Sequence, residues 1–492
     1  MRKILLAPLL LVAAIVCFAL PAKAKDAYSI KVKITSLKDT SIYLAYHFGD
    51  KQYMKDTLKL NNMGMGTFRG TEKLEQGIYL VVMPSKTYFE IIVGDDQDFS
   101  IENDTANFVE HMKVEGSDEN RIFYDDMRFI MGKQKERQAL DAKLKEEKDE
   151  QKKKDIKKQL EDIDKSVVAY RKDIRIKNPN LLYSKVLYTL EEIEIPEAPK
   201  NEKGVVIDSA FTYKYYKQHY FDHIDLADPR MLKTPVLFNK VEYYLEKVMP
   251  QLVDSLNPAV DYIIDAASKN DTTYKFWVVT LLNKYANTKV MCLDGVYVHI
   301  GDKYYCSGKA SWVDSADVVR ICDRVKAMKP TMCDLKAPGL MLKDSSGNYH
   351  NLYSLPSKYV LLYFYDPDCG HCKKETPHVV AAMDSLMKKY DVKVYAVATE
   401  IEREKWINFL KEFKMDKFIN VADIELQNNF RQIYDIQSTP RIFLLDKNRV
   451  IRAKRFSAEQ IGLILEGIEK MDSQGKDRKL EDNIDATQRQ KQ

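Results

Sequence analysis

Cysteine, tryptophan and histidine are scarce in this chain, with 7, 3 and 8 among 492 residues. So few cysteines exclude a disulfide scaffold as the main source of stability at this length, and packed cores must supply it. An excess of one charge sign is also missing. Lys and Arg number 77 against 73 Asp and Glu, a formal net charge of +4, which leaves no basic footprint for nucleic acid. No apolar run beyond Leu20 approaches the length of a membrane span. The motifs H-E-x-x-H, G-x-S-x-G and the P-loop are absent, and no metal or cofactor is expected. What is present is ordinary globular composition, 45% hydrophobic and 30% charged, which argues against a mainly disordered or fibrous protein. At roughly 150 residues per domain the length suggests about three domains.

The first residues read as an export tag. Arg2 and Lys3 precede an apolar run from Ile4 to Leu20, and Ala22-Lys23-Ala24 supplies an A-x-A cleavage site. Residues 1–24 are therefore expected to be a signal peptide. A retained membrane anchor is the rival reading, although the run is short for a span. Lipid attachment is disfavoured because Ala14-Ile15-Val16, and not a small residue, leads into Cys17. Cleavage removes Cys17 and three positive charges and leaves a nearly neutral chain with no transmembrane span. The expected location is the periplasm or cell envelope, an oxidising compartment.

The texture of the mature chain changes twice. Residues 25–115 read as an all-β module: Ile30, Val32 and Ile34 alternate with lysines, Ile42, Leu44 and Tyr46 repeat the pattern, and Gly49-Asp50, Asn61-Asn62 and Gly94-Asp95 mark turns. Residues 116–332 read as mostly α-helical. From Lys133 to Asn178 there is neither Gly nor Pro, and Ile156, Leu160, Ile163 and Val167 form one apolar stripe on a charged helix or helical hairpin. That charge run is read as a solvated face. The aromatic stretch from Phe211 to Phe221 is read as helical core, not a stacking surface. Residues 333–473 alternate strands and helices and end in a hairpin and helix, which gives an α/β sandwich. Its run Tyr359 to Tyr365 has no polar face and suits a central strand covered on both sides. Residues 474–492 carry no aromatic residue and read as a disordered tail.

The chemistry concentrates in Cys369-Gly370-His371-Cys372, which follows the apolar strand and opens a helix. In that context C-x-x-C reads as a redox pair. Unpaired N–H groups at a helix start stabilise a thiolate. Cys369, ahead of the first turn, is the expected attacking thiolate, and Cys372, inside it, the resolving thiol. His371 is placed to add positive charge near Cys369. Pro377 falls inside the helix, and Thr439-Pro440 leads into the strand Arg441 to Leu445. A cis proline there would turn the Thr439 backbone toward the cysteines, where a substrate peptide could pair with it. An ordinary trans proline is the alternative.

Those residues, from Ala337-Pro338 through Cys369-Gly370-His371-Cys372-Lys373-Lys374-Glu375-Thr376-Pro377 to Thr439-Pro440, resemble the ResA/TlpA-like branch of the thioredoxin superfamily over about residues 334–472. The resemblance implies a thioredoxin-like fold, thiol–disulfide oxidoreductase activity and a Cys369–Cys372 disulfide in the oxidised state. It also implies a glutamate near the site three residues past the second cysteine, which Glu375 matches. Cys-Gly-His-Cys is shared with protein disulfide isomerases. The two front modules resemble, more loosely, modules of unassigned role in exported proteins of Bacteroidetes. This chain departs from the pattern where Asp368 replaces the usual Trp before the first cysteine and Tyr363 replaces the buried acid on the strand. Asp366 and Asp368 oppose thiolate formation, and Glu375 is the candidate to take over proton transfer.

An inert Cys369–Cys372 bridge would stabilise little across so small a loop. A zinc half-site would need two further ligands, of which His378 is one candidate. Cys292, Cys306, Cys322 and Cys333 could form two bridges in any of three connectivities or stand as buried free thiols, and free or partly paired is the favoured expectation. The function expected is an exported oxidoreductase that exchanges disulfides with envelope proteins and is supplied by a membrane thiol donor, with reduction the favoured direction. The alternatives are a peroxiredoxin-like thiol peroxidase, although Pro-x-x-x-Thr-x-x-Cys is missing, and an envelope binding or scaffold protein that carries a redox domain.

Overall fold

A computed structural model of the chain describes residues 27–400 and 402–473. The expected signal peptide 1–24 and tail 474–492 lie outside the described residues. The chain divides into two compact units, one running through Glu191 together with Leu232–Pro235, the other comprising Glu192–Met231 and everything from Val236 onward.

The first unit opens with eight strands: β1 (Tyr28–Ile34), β2 (Ser41–Phe48), β3 (Lys51–Lys59), β4 (Met65–Gly70), β5 (Gly77–Val82), β6 (Tyr88–Val93), β7 (Asp98–Asn103) and β8 (Lys113–Glu115). They form two four-stranded sheets, ordered β4-β1-β7-β8 and β3-β2-β5-β6. The period-2 pattern decides which face is inside. Ile30, Val32 and Ile34 are buried, as are Ile42 and Leu44, while the lysines between the β1 residues face outward. Three helices follow: α1 (Asp118–Glu146), α2 (Glu150–Lys177) and α3 (Leu182–Leu190).

The charged segment is thus a helical hairpin, broken where Asp149 caps α2 by accepting from the amides of Gln151 and Lys152. Ser117 caps α1 in the same way, through the Asn120 amide. The hairpin belongs to the β unit for an identifiable reason. The buried Asn120 side chain exchanges two hydrogen bonds with the backbone of Ile92 on β6, at 2.8 and 2.7 Å. Asp126, also buried, is held by Arg171 on α2 (3.0 Å) and by the Tyr183 hydroxyl on α3 (2.5 Å). The short segment 232–235 joins this unit because the Gly49 amide donates to the Leu232 carbonyl and Lys233 pairs with Glu75.

The second unit begins with helices α4 (Phe211–His219), α5 (Pro235–Tyr243), α6 (Val253–Ala267), α7 (Asp271–Ala286), α8 (Asp294–Ile300) and α9 (Ser315–Met328). The aromatic stretch in α4 is only partly core: no residue of α4 is fully buried, whereas Tyr220 and Phe221 just after it are. A seven-stranded sheet follows, built from β9 (Met341–Lys343), β10 (Tyr349–Asn351), β11 (Tyr359–Tyr365), β12 (Val392–Ala398), β13 (Ile419–Ala422), β14 (Arg441–Leu445) and β15 (Ile451–Lys454). Its order is β10-β9-β13-β12-β11-β14-β15. Helices α10 (Gly370–Lys389), α11 (Arg403–Glu412), α12 (Phe430–Ile433) and α13 (Ile461–Ser473) complete it.

Strand β11 lies between β12, parallel to it, and β14, antiparallel, and all seven of its residues are buried. Its side chains feed two cores. Tyr359, Leu361, Tyr363 and Tyr365 pack with Met383, Trp406 and Leu465; Val360, Leu362 and Phe364 pack with Tyr395, Phe430 and Tyr434 on the other face. The architecture is multidomain as expected: β-rich, then helical, then α/β.

The four remaining cysteines correct an expectation. Cys292 is bonded to Cys333 and Cys306 to Cys322. Sequence separations of 41 and 16 gave no hint of these neighbours, which the folding of α8, α9 and the start of the α/β region brings together.

Candidate active site

The end of β11 positions the site. After Tyr365 the chain leaves the sheet through Asp366-Pro367-Asp368 and re-enters regular structure at Gly370, with Cys369 in an extended conformation just ahead of α10. Cys369 is partly exposed and Cys372 is fully buried, and both are free thiols. Cys369 Sγ donates to the Thr439 carbonyl at 3.4 Å, and the Thr439–Pro440 peptide bond is cis. The Asp366 amide donates to Cys372 Sγ, also at 3.4 Å.

The two thiols differ in acidity for physical reasons. Partial burial pushes the Cys369 thiol up. Hydrogen bonds from the Cys372 amide, from Thr439 and the Cys372 thiol, and from the His371 amide outweigh it and hold the pKa below the ordinary thiol value. Burial pushes the Cys372 thiol up to about 12, against partial relief from the Asp366 amide. The partly exposed sulfur is therefore the more acidic of the two, and the buried one is kept protonated.

Cys369, Cys372, Thr439 and Pro440 come together as the motif spacing suggested. His371 contributes differently from expectation. Its side chain is exposed and makes no hydrogen bond or ion pair among the described residues, and its amide acts on Cys369. Glu375 is also placed differently. Its Oε1 accepts from the Ala458 amide at 2.7 Å, so its carboxylate is engaged in holding the loop after β15, and the proton-transfer role expected of it gains no contact with Cys372. The position of the missing buried acid is filled by a neutral chain. The Tyr363 hydroxyl meets Thr376 Oγ1 at 2.7 Å, and Thr376 Oγ1 donates to the Cys372 carbonyl at 2.7 Å.

Three further residues shape the site. Lys405 on α11 pairs with Asp368 at 3.0 Å and offsets the acid nearest the reactive thiol. Asp366 is held by Thr399 Oγ1 and by the Asp368 amide. Thr376 was legible in principle, because four residues past Cys372 on a helix puts its hydroxyl at the Cys372 carbonyl. Lys405, 37 residues from Asp368, left no signal in the spacing.

Residues 329–462 match the family described as Redoxin. Residues 28–123 and 142–330 match two families described as domains of unknown function, DUF4369 and DUF5106. The chain is 29% identical over 126 residues to the thioredoxin-like protein YneN of Bacillus subtilis, covering 24% of this chain and 67% of that protein. Among solved structures, a domain of a possible thiol-disulfide isomerase from Cytophaga hutchinsonii is 36% identical, covers 30% of this chain and 98% of its own, and has a TM-score of 0.28. A thioredoxin-like protein from Bacteroides caccae is 18% identical, covers 56% of this chain and 98% of its own, and has a TM-score of 0.43.

Proposed function

We propose that the chain is an exported thiol–disulfide oxidoreductase that reduces disulfides in cell-envelope proteins, a reading supported by the match of residues 329–462 to Redoxin and by the likeness to a thioredoxin-like protein. The observation that carries this reading is the asymmetry of the two thiols, one partly exposed with a lowered pKa and one buried with a pKa of about 12.

The Cys369 thiolate attacks one sulfur of a client disulfide. The client S–S bond breaks, its other sulfur leaves as a thiolate, and a mixed disulfide joins Cys369 to the client. The client backbone pairs with Thr439, next to Pro440. Cys372 then gives up its proton, attacks Cys369 Sγ and releases the second client thiol. Two electrons have passed to the client, and Cys369–Cys372 is left as a disulfide. A membrane thiol donor returns it to the dithiol, since cytosolic reductant does not reach the envelope.

Reduction is the favoured direction on the resemblance to the ResA/TlpA-like branch, and the exposed His371 side chain makes no hydrogen bond or ion pair among the described residues that would fix a cation against the thiolate. A cation held against the thiolate would stabilise the dithiol and raise the oxidising power. Export rests on the signal-like residues 1–24, and no helix of the described residues is long and apolar enough to cross a membrane.

The test is insulin reduction by the full chain. Cys369→Ser should abolish turnover, and Cys372→Ser should accumulate a client joined through Cys369. Full turnover by both variants would reject the mechanism.

A further inference from the structure

Beside the cis-proline loop, charged groups from four elements of the second unit meet. Arg441 directly follows Pro440, and Arg455 directly follows β15. Asp294 opens α8, Arg324 lies on α9, and Asp435 precedes the Thr439–Pro440 turn. Arg324 Nη1 contacts Asp435 Oδ1 at 2.5 Å. Lys454 Nζ contacts Asp294 Oδ2 at 2.7 Å with both side chains 4% exposed, and Arg455 Nη2 approaches the same oxygen at 3.6 Å. Arg441 lies in the field of Arg455, Arg324, Asp435 and Asp294.

The cluster does not balance. Among the described residues Arg324, Arg441, Lys454 and Arg455 face two carboxylates, Asp294 and Asp435, which are engaged by Lys454 and Arg324. Among the described residues Arg441 has no carboxylate of its own: Nη2 donates to the Ser438 hydroxyl at 3.1 Å, and Nε is buried with no hydrogen-bond partner. A buried guanidinium donor left unmatched is costly unless an acceptor arrives. Arg455 moreover sits at φ 61°, a left-handed conformation that glycine would adopt more readily.

The location ties this excess to the redox pair. The Thr439 carbonyl touches Cys369 Sγ, and Arg441 is two residues further along the same backbone, roughly 7 Å in an extended chain. A client strand paired with Thr439 would carry its neighbouring side chains over Arg441 and Arg455. The acid next to Cys369 in sequence, Asp368, is engaged by Lys405.

We propose that Arg441 and Arg455, set against α8 and α9, form a carboxylate-accepting subsite that selects client disulfides flanked by Asp or Glu. The proposal rests on the exchange reading given above and names its substrate class. Helices α8 and α9 thereby border the client groove, because Asp294 on α8 approaches Arg455 and Arg324 on α9 engages Asp435 beside it.

The experiment uses the full reduced chain and three disulfide-bonded peptides of equal length whose cysteine flanks are Asp, Asn or Lys. Initial reduction rates should favour the Asp peptide over the Asn peptide by about tenfold at low salt, as two partly exposed charge pairs would give. The preference should shrink at roughly 0.5 M salt. Arg441→Gln and Arg455→Gln should each lower the Asp-to-Asn ratio at least about threefold, and Arg455→Lys should keep most of it. The ratio is read within each variant, so partial misfolding does not mimic the effect. Equal rates for the Asp and Asn peptides, or an unchanged ratio in both Gln variants, would overturn the subsite while leaving the exchange reading intact. Failure to reduce any of the peptides would overturn both.

Discussion

At pH 7 the two active-site thiols should differ in reactivity by at least about a thousandfold. With a pKa near 12, Cys372 exists as thiolate about once in 10^5 molecules at that pH. Cys369, held below the ordinary thiol value of 9.0, is thiolate in more than about one molecule in 10^2. Burial of Cys372 widens the gap further, since the alkylating agent must also reach the sulfur. The assay is a short pulse of limiting iodoacetamide on the reduced full chain, followed by acid quench and peptide mass mapping. A reductant mild enough to spare the Cys292–Cys333 and Cys306–Cys322 bridges leaves those four cysteines as unlabelled controls. More than about 99% of the active-site label should fall on Cys369. Its rate should rise with pH and level off below pH 9, while any Cys372 labelling keeps rising toward pH 12. Comparable labelling of both thiols at pH 7, or a Cys369 rate that still climbs steeply beyond pH 9, would refute the assignment of roles.

Lys405→Gln leaves Asp368 unmatched beside the reactive thiol, so the Cys369 alkylation profile should move to higher pH; an unmoved profile would show that the Lys405–Asp368 pair does not act on the sulfur. Glu375→Gln should leave the pH profile of exchange in place, whereas Glu375→Ala should cost about 1–2 kcal/mol through the lost acceptor for Ala458, read by denaturant unfolding. A profile displaced by Glu375→Gln would restore proton transfer to that residue. Tyr363→Phe should cost about 1 kcal/mol in the same assay, because Thr376 keeps its bond to the Cys372 carbonyl. Replacing Cys292 and Cys333 by Ser opens a 41-residue loop and should cost about 4 kcal/mol, against about 3 for the 16-residue loop of Cys306 and Cys322. No change in the unfolding midpoint would contradict the pairing.

Local patterns were readable wherever burial imposes a period. The alternation in β1, the unbroken apolar run of β11 and the helix that opens on Cys369 all follow from which faces must leave water. The C-x-x-C spacing and Thr439-Pro440 placed four site residues together because both motifs act through the backbone that carries them. What stayed hidden depends on partners distant in sequence. Asn120 attaches α1 to β6 through one buried amide, and no composition shift marks it, so the helical stretch read as one module although α1 to α3 cluster with the strands. The Lys405–Asp368 pair and the cystine partners are hidden for the same reason. Glu375 is the instructive case. Its position matched a motif, yet the Ala458 amide, 83 residues away, decides what its carboxylate does.

The reduction potential of the Cys369–Cys372 pair in the full chain tests the central claim most directly. A reductase should lie near about −270 mV, the thioredoxin range. A potential at or above about −180 mV, in the range of the isomerases, would contradict reduction as the direction of transfer.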